Sequence, residues 1–112
     1  MGYWGSDYLD PHSNAAAFAR NPDNADDAAD KTLAWRNGWE IPGLTQRTDE
    51  AMLIRDSSRR AAAYGELQRS LQIDSPFIIL FQEKALIAAR ESVIGFKVGL
   101  TSDQIRYERV SK

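Results

Sequence analysis

The chain has no cysteine and a single histidine, His12, among its 112 residues. Disulfide stapling, thiolate metal sites and thiol catalysis are therefore excluded. Charge of one sign is lacking as well: 14 Lys and Arg stand against 16 Asp and Glu, a net −2. Nucleic-acid binding leans on clustered Lys and Arg, and this balance gives no argument for it. No long hydrophobic run is present. The stretch from Phe77 to Phe81 is far too short to span a bilayer, so no membrane insertion is expected. Nor does the chain open with a basic region followed by an apolar run, as a signal peptide would. What is there, 43% hydrophobic and 27% charged residues, is ordinary for one globular domain with a modest core.

Tyr3 to Leu9 has the aromatic content of a short strand and ends at the turn signal Asp10-Pro11. A chain that begins within a strand looks cut from something longer. Ser13-Asn14 is placed to cap a short helix through Ala15 to Ala19, stopped ahead of Asn21-Pro22. Asn21 to Asp30 is mostly Asn, Asp and Ala, which reads as an exposed loop. Thr32 to Trp39 carries Leu33, Trp35 and Trp39 around the turn pair Asn37-Gly38, and leaves strand, hairpin or helical turn open. Pro42 suits the first turn of a helix to about Arg55 with a rough stripe of Leu44, Ala51, Met52 and Ile54. Asp56 or Ser57 then caps a stronger helix, in which Ala61, Ala63, Tyr64, Leu67 and Leu71 share one face. Arg59, Arg60, Glu66 and Arg69 fall on its wet side. The two helices make a helical hairpin. After Asp74-Ser75-Pro76, the run Phe77-Ile78-Ile79-Leu80-Phe81 has the length and composition of a strand covered on both faces. Ala85 to Ala89 is a candidate second strand, and Thr101 to Lys112 is either a lone edge strand or disordered. The expected fold class is α+β, a helical hairpin packed on a small β-sheet.

Few side chains form a set that carries chemistry. Asp7, Asp10 and His12 lie close in sequence, but two carboxylates and one imidazole around Pro11 are also a common loop composition. Asp26, Asp27 and Asp30 lack the glycine and terminal glutamate of a calcium loop. Ser57-Ser58 is a helix cap before it is a nucleophile. No catalytic set, no metal site and no cofactor is expected. Trp4 beside Asp7 remains: if the chain turns near Gly5-Ser6, an indole wall and a carboxylate can line one pocket, the carboxylate pairing with an ammonium group. A core tryptophan with a turn-capping aspartate is the more ordinary reading of the same residues.

In order along the chain, four stretches form a pattern. Trp4-Gly5-Ser6-Asp7-Tyr8-Leu9-Asp10-Pro11 comes first, then the segment from Trp39 to Asp56 with a helix after Pro42. Arg59-Arg60-Ala61-Ala62-Ala63-Tyr64 with Leu67-Gln68 follows. Last come Asp74-Ser75-Pro76, Leu80-Phe81-Gln82 and Val93-Ile94-Gly95-Phe96. Together they resemble the C-terminal part of the family 5 solute-binding proteins of the dipeptide/oligopeptide type, which serve peptide and nickel ABC importers. The resemblance implies a fragment of a two-lobe periplasmic binding protein. Residues 1–92 would be the C-terminal part of a ligand-binding lobe, and 93–112 a return segment or disordered tail. It implies that Asp7 pairs with a peptide's free amino terminus, that Trp4 borders a side-chain pocket and that the Gly5 backbone lies along the peptide. It also makes Tyr8 a candidate contact and implies that Phe81 and Gln82 lie on a strand end that approaches the cleft. The implied partners are a peptide or other small solute and the permease subunits of the importer. Arg47, Ile79 and the long polar stretch from Arg20 to Trp39 depart from the family pattern, and the last of these leaves ligand class open. Two other readings compete: an intact interaction module docking through its helical hairpin, and a small metal-dependent hydrolase using Asp7, Asp10 and His12.

Overall fold

A computed structural model describes residues 2–82, 84, 86–99 and 105–112. In chain order the elements are α1 (Pro11–Phe18), α2 (Leu33–Arg36), α3 (Pro42–Leu53), α4 (Ser57–Asp74), β1 (Lys97–Val98) and β2 (Ile105–Arg106). The protein is mostly helical with a small β component. Its contacts divide it into two compact units, Asp10–Ile78 and Met1–Leu9 with Ile79–Lys112.

The Asp10–Ile78 unit is built of helices. Asp10 is in extended conformation and accepts from the His12 amide at 2.8 Å, and Pro11 stands at the first helical position with φ already set. The cap of α1 is therefore three residues earlier than Ser13-Asn14 suggests, and Ser13 is buried inside the helix. The segment Thr32 to Trp39 resolves into the single turn α2, capped by Thr32 and closed by Gly38 at φ 59. There the Gly38 and Trp39 amides bond back to the carbonyls of Trp35 and Ala34, a left-handed helix ending that glycine takes without penalty. α3 starts at Pro42 without a side-chain cap. α4 starts where Asp56 accepts from the Arg59 amide at 2.8 Å and from the Ser58 hydroxyl at 2.6 Å. It stops at Ser75-Pro76, since proline excludes helical conformation in its predecessor.

Ala15, Ala51, Tyr64 and Leu67 form the core, with Leu44 and Ala63 packed on it. Of the α4 face expected from spacing, Tyr64 and Leu67 are buried, Ala63 and Leu71 half-buried, and Ala61 exposed. On α3, Met52 is exposed and the buried residues are Thr45, Thr48 and Ala51. That small, partly polar face exists because α3 holds the backbone that leaves α1. The Asn21 amide donates to Thr45 Oγ1 at 2.9 Å, and the Thr48 hydroxyl donates to the Ala19 carbonyl at 3.3 Å. Asn21 and Ala28 are buried, so the segment 21–30 is a loop packed at two points and exposed between them.

The strand expectations need correction. Tyr3 to Leu9 has no strand, and Phe77 to Phe81 is irregular. Phe77 packs edge-to-face on Phe18 and Trp39, with ring centroids 5.1 and 6.2 Å apart. Ile78 and Ile79 are both 84% exposed, and Leu80 and Phe81 are largely exposed too. A strand needs a ladder partner, and β-propensity reports fit to a pleated, half-buried surface that these residues do not have here. Within Asp10–Ile78 the hairpin of α3 and α4 is covered by α1, where a sheet was expected. Residues 86–89 of the second candidate strand are also irregular; Ala85 lies outside the described residues.

The other unit contains the described strand pair. β1 and β2 run antiparallel with Lys97 opposite Arg106, and an isolated bridge joins Ile94 to Ser111. The tail is therefore paired at Ile105–Arg106 and Ser111 where a lone edge strand was one expectation; residues 101–104 lie outside the described set. Phe96 meets Tyr107 edge-to-face at 5.9 Å.

Candidate functional site

Trp4, Gly5, Asp7, Tyr8, Phe81 and Gln82 all belong to the Met1–Leu9 and Ile79–Lys112 unit, and every one of them is exposed. The Tyr3 ring folds back over Gly5, close enough that a methyl group there would be in ordinary contact with it. Asp7 has neither a hydrogen bond nor an ion pair among the described residues. It is an accessible carboxylate, chemically suited to an ammonium or guanidinium partner. Two cavities among the described residues, taken up below, are lined by other side chains.

Three residues beyond Asp7, the second aspartate of the motif has a different task. Both Asp10 oxygens accept from Arg60, Nη1 to Oδ2 and Nη2 to Oδ1, each at 2.8 Å, while Oδ1 also caps α1. The Arg60 guanidinium lies 4.9 Å from the centre of the Tyr64 ring. The Tyr64 hydroxyl is 3.0 Å from His12 Nδ1 and accepts from Arg60 Nη2 at 3.4 Å. Arg60 holds the Asp10 carboxyl below the ordinary aspartate range, with the His12 amide adding to the effect. The fork–fork ion pair thus joins the start of α1 to the first turn of α4. Of the trio Asp7, Asp10 and His12, Asp10 and His12 are engaged with α4. Among the described residues no group of three His, Asp or Glu side chains is placed to hold a metal.

Arg60, assigned to the wet side of α4 by spacing, is the residue that sequence reasoning missed. Asp10 and Arg60 are 50 positions apart, and no periodicity links them. A similar long-range set surrounds Arg20, which donates to Asp49 at 2.8 Å and to Asp30 at 2.7 Å. Asp49 and Asp30, in that order, raise the Arg20 pKa. Beside it an open cavity of about 690 Å³ is lined by Asn21, Asp23, Glu40, Asp49 and Glu50 among others. Its carboxylates are mostly engaged: Asp49 with Arg20, Glu50 with Gln46, and Asp23 with the Ala25 amide. Asn21 spends both amide protons on Asn24 and the Trp39 carbonyl, and its Oδ1 is buried without a partner.

No described helix is long and apolar enough to cross a membrane. No family model, curated protein or solved structure matches the chain.

Proposed function

We propose that the chain is part of a ligand-binding lobe of an extracytoplasmic solute-binding protein, which captures peptides or related small solutes and hands them to the permease of an ABC importer. The observation that carries the proposal is a division of labour within Trp4 to Pro11. Asp10 and Pro11 are spent on structure, capping α1 and docking on Arg60. Asp7, by contrast, is exposed and has no partner among the described residues. A carboxylate held just upstream of a fixed anchor suits the capture of a free amino terminus. Trp4 and Tyr8 supply neighbouring apolar surface, and Phe81 and Gln82 supply the second side of the site. In this reading the helical hairpin packs on a sheet completed by the rest of the lobe, in a two-lobe protein outside the cytoplasmic membrane. The chain acts by binding and performs no catalysis.

A ligand enclosed between lobes draws its closing energy from contact with both. The isolated chain should therefore bind a dipeptide weakly or not at all, and a titration showing micromolar affinity would count against the proposal. In the protein encoded by the whole reading frame, Asp7→Ala should weaken ligands with a free amine by roughly 2–5 kcal/mol, and N-acetylated ligands far less. Equal loss for both ligands, or no loss, removes Asp7 from the site.

The interaction-module reading predicts one apolar patch on the hairpin. Met52 and Leu53 stand exposed at the end of α3 and Ile73 near the end of α4. Three apolar side chains on different helices are ordinary surface residues and do not favour that reading.

A further inference from the structure

β1 and β2 pair with Lys97 directly opposite Arg106. Residues so opposed stand on the same face of the ladder, and like charges there repel. A ladder of two residues per strand has little to offset that repulsion. Lys97 and Arg106 also line, together with Gly95, Glu108 and Arg109, a cavity of about 140 Å³. Backbone geometry brings Arg109 there. Gly95 has φ 77, and a Cβ on it would overlap the Arg109 carbonyl oxygen, so only glycine lets these two stretches lie this close. Among the described residues, none of the three cations is in an ion pair. Three cationic residues and one carboxylate residue line this cavity of anion size, a surplus of two positive charges.

We infer that this cavity binds a small dianionic oxyanion, a phosphoryl group or a compact dicarboxylate. Two guanidinium forks and an ammonium present more donors than one carboxylate can absorb. An oxyanion between them turns the opposed cations from a cost into charge-assisted hydrogen bonds. The inference rests on the strand pair alone and is independent of the solute-capture proposal.

The test is a titration of the isotope-labelled chain, followed by its amide spectra, with inorganic phosphate and separately with succinate. Ionic strength is held constant with sodium chloride. Saturating shifts confined to the amides of residues 94–98 and 105–111 are expected. Arg106→Gln should weaken binding roughly tenfold or more. Lys97→Glu places opposite charges across the ladder, so it should abolish binding while the Phe96 and Tyr107 signals report an intact hairpin. A response to phosphate alone assigns a phosphoryl ligand, and a response to succinate a dicarboxylate. Shifts that do not saturate, that spread over the chain, that sodium chloride reproduces, or that persist unchanged in Arg106→Gln overturn the inference.

Discussion

Leu67 is the large aliphatic side chain on which the helical unit depends. It is 1% exposed, and its core partners are Ala15, Ala51 and Tyr64. Leu→Ala at a buried site costs about 2–5 kcal/mol, and the position in that range depends on whether the surroundings can close the void. Here they cannot close easily. Ala15 and Ala51 contribute only methyl groups, and the helices that carry them are held by Asp10–Arg60 and Arg20–Asp49. The cavity persists, which puts Leu67→Ala at about 3–4 kcal/mol. At 0.05–0.15 kcal/mol per residue, a unit of this size has only about 3–10 kcal/mol in total. Urea unfolding of the whole chain, followed by far-ultraviolet circular dichroism, should therefore show a large fall in midpoint at similar slope. Leu71→Ala, on the same face but half-buried, should cost markedly less. A loss below about 1 kcal/mol at position 67, or equal losses at 67 and 71, would refute the packing argument.

Asp10→Asn keeps a good N-cap but loses the ionic partner of Arg60, whereas Asp10→Ala loses both and should cost about 1 kcal/mol through the cap alone. The Asp10 pKa is lowered in the folded state from 3.8, so its stabilising contribution is complete above pH 4 and disappears as pH falls through the folded value. Acid unfolding below pH 4 should accordingly be less steep in Asp10→Asn than in the parent, and identical profiles would discount the ion pair. Gly95→Ala should disrupt the β1–β2 hairpin, since its methyl group would overlap the Arg109 carbonyl; undisturbed Phe96 and Tyr107 amide signals would contradict this. Ile79→Lys, which charges the middle of the exposed run from Ile78 to Phe81, should reduce concentration-dependent self-association in analytical ultracentrifugation without changing helical content.

Local chemistry was the legible part of this sequence. Pro42, Asp56 and Ser75-Pro76 mark helix ends by mechanisms that act within a few residues, and α3 and α4 begin and end close to where those residues place them. The cap of α1 was misplaced because Ser13-Asn14 and Asp10-Pro11 both satisfy capping rules; the added anchor that decides for Asp10 is Arg60, distant in sequence. The strands failed for a related reason. Tyr3 to Leu9 and Phe77 to Phe81 have strand composition, but pairing is a property of two segments, and a single segment cannot announce its partner. At the candidate site the types of side chain were legible and their arrangement was not. Asp7 and Asp10 look equivalent in the sequence, and the α1 cap together with the ion pair to Arg60 separates a structural carboxylate from an available one.

That separation ties the fold to the function proposed for it. Asp10 is fixed by a cap and a bidentate ion pair, so the segment leading into it enters the helical unit at a defined point. The run after Phe77 leaves the same unit with Phe77 held between Phe18 and Trp39. Asp7 precedes the first of these anchors in the chain, and Ile78, Ile79, Leu80 and Phe81 follow the second; all are exposed. Burying an aliphatic or aromatic side chain stabilises by about 1.5–3 kcal/mol, so four left in water forgo on the order of 6 kcal/mol or more. A sequence that concentrates such residues in an uncharged run of strand length gains that energy only against a surface able to pair with it. On the solute-capture proposal, that surface is the sheet of the lobe. Pairing there would hold the Phe81–Gln82 end as firmly as Arg60 holds Asp10, bringing both sides of the ligand site under fixed geometry. If pairing of this run fails to accompany ligand capture in the whole protein, as amide exchange across residues 78–82 would reveal, the two sides of the proposed site are not parts of one pocket.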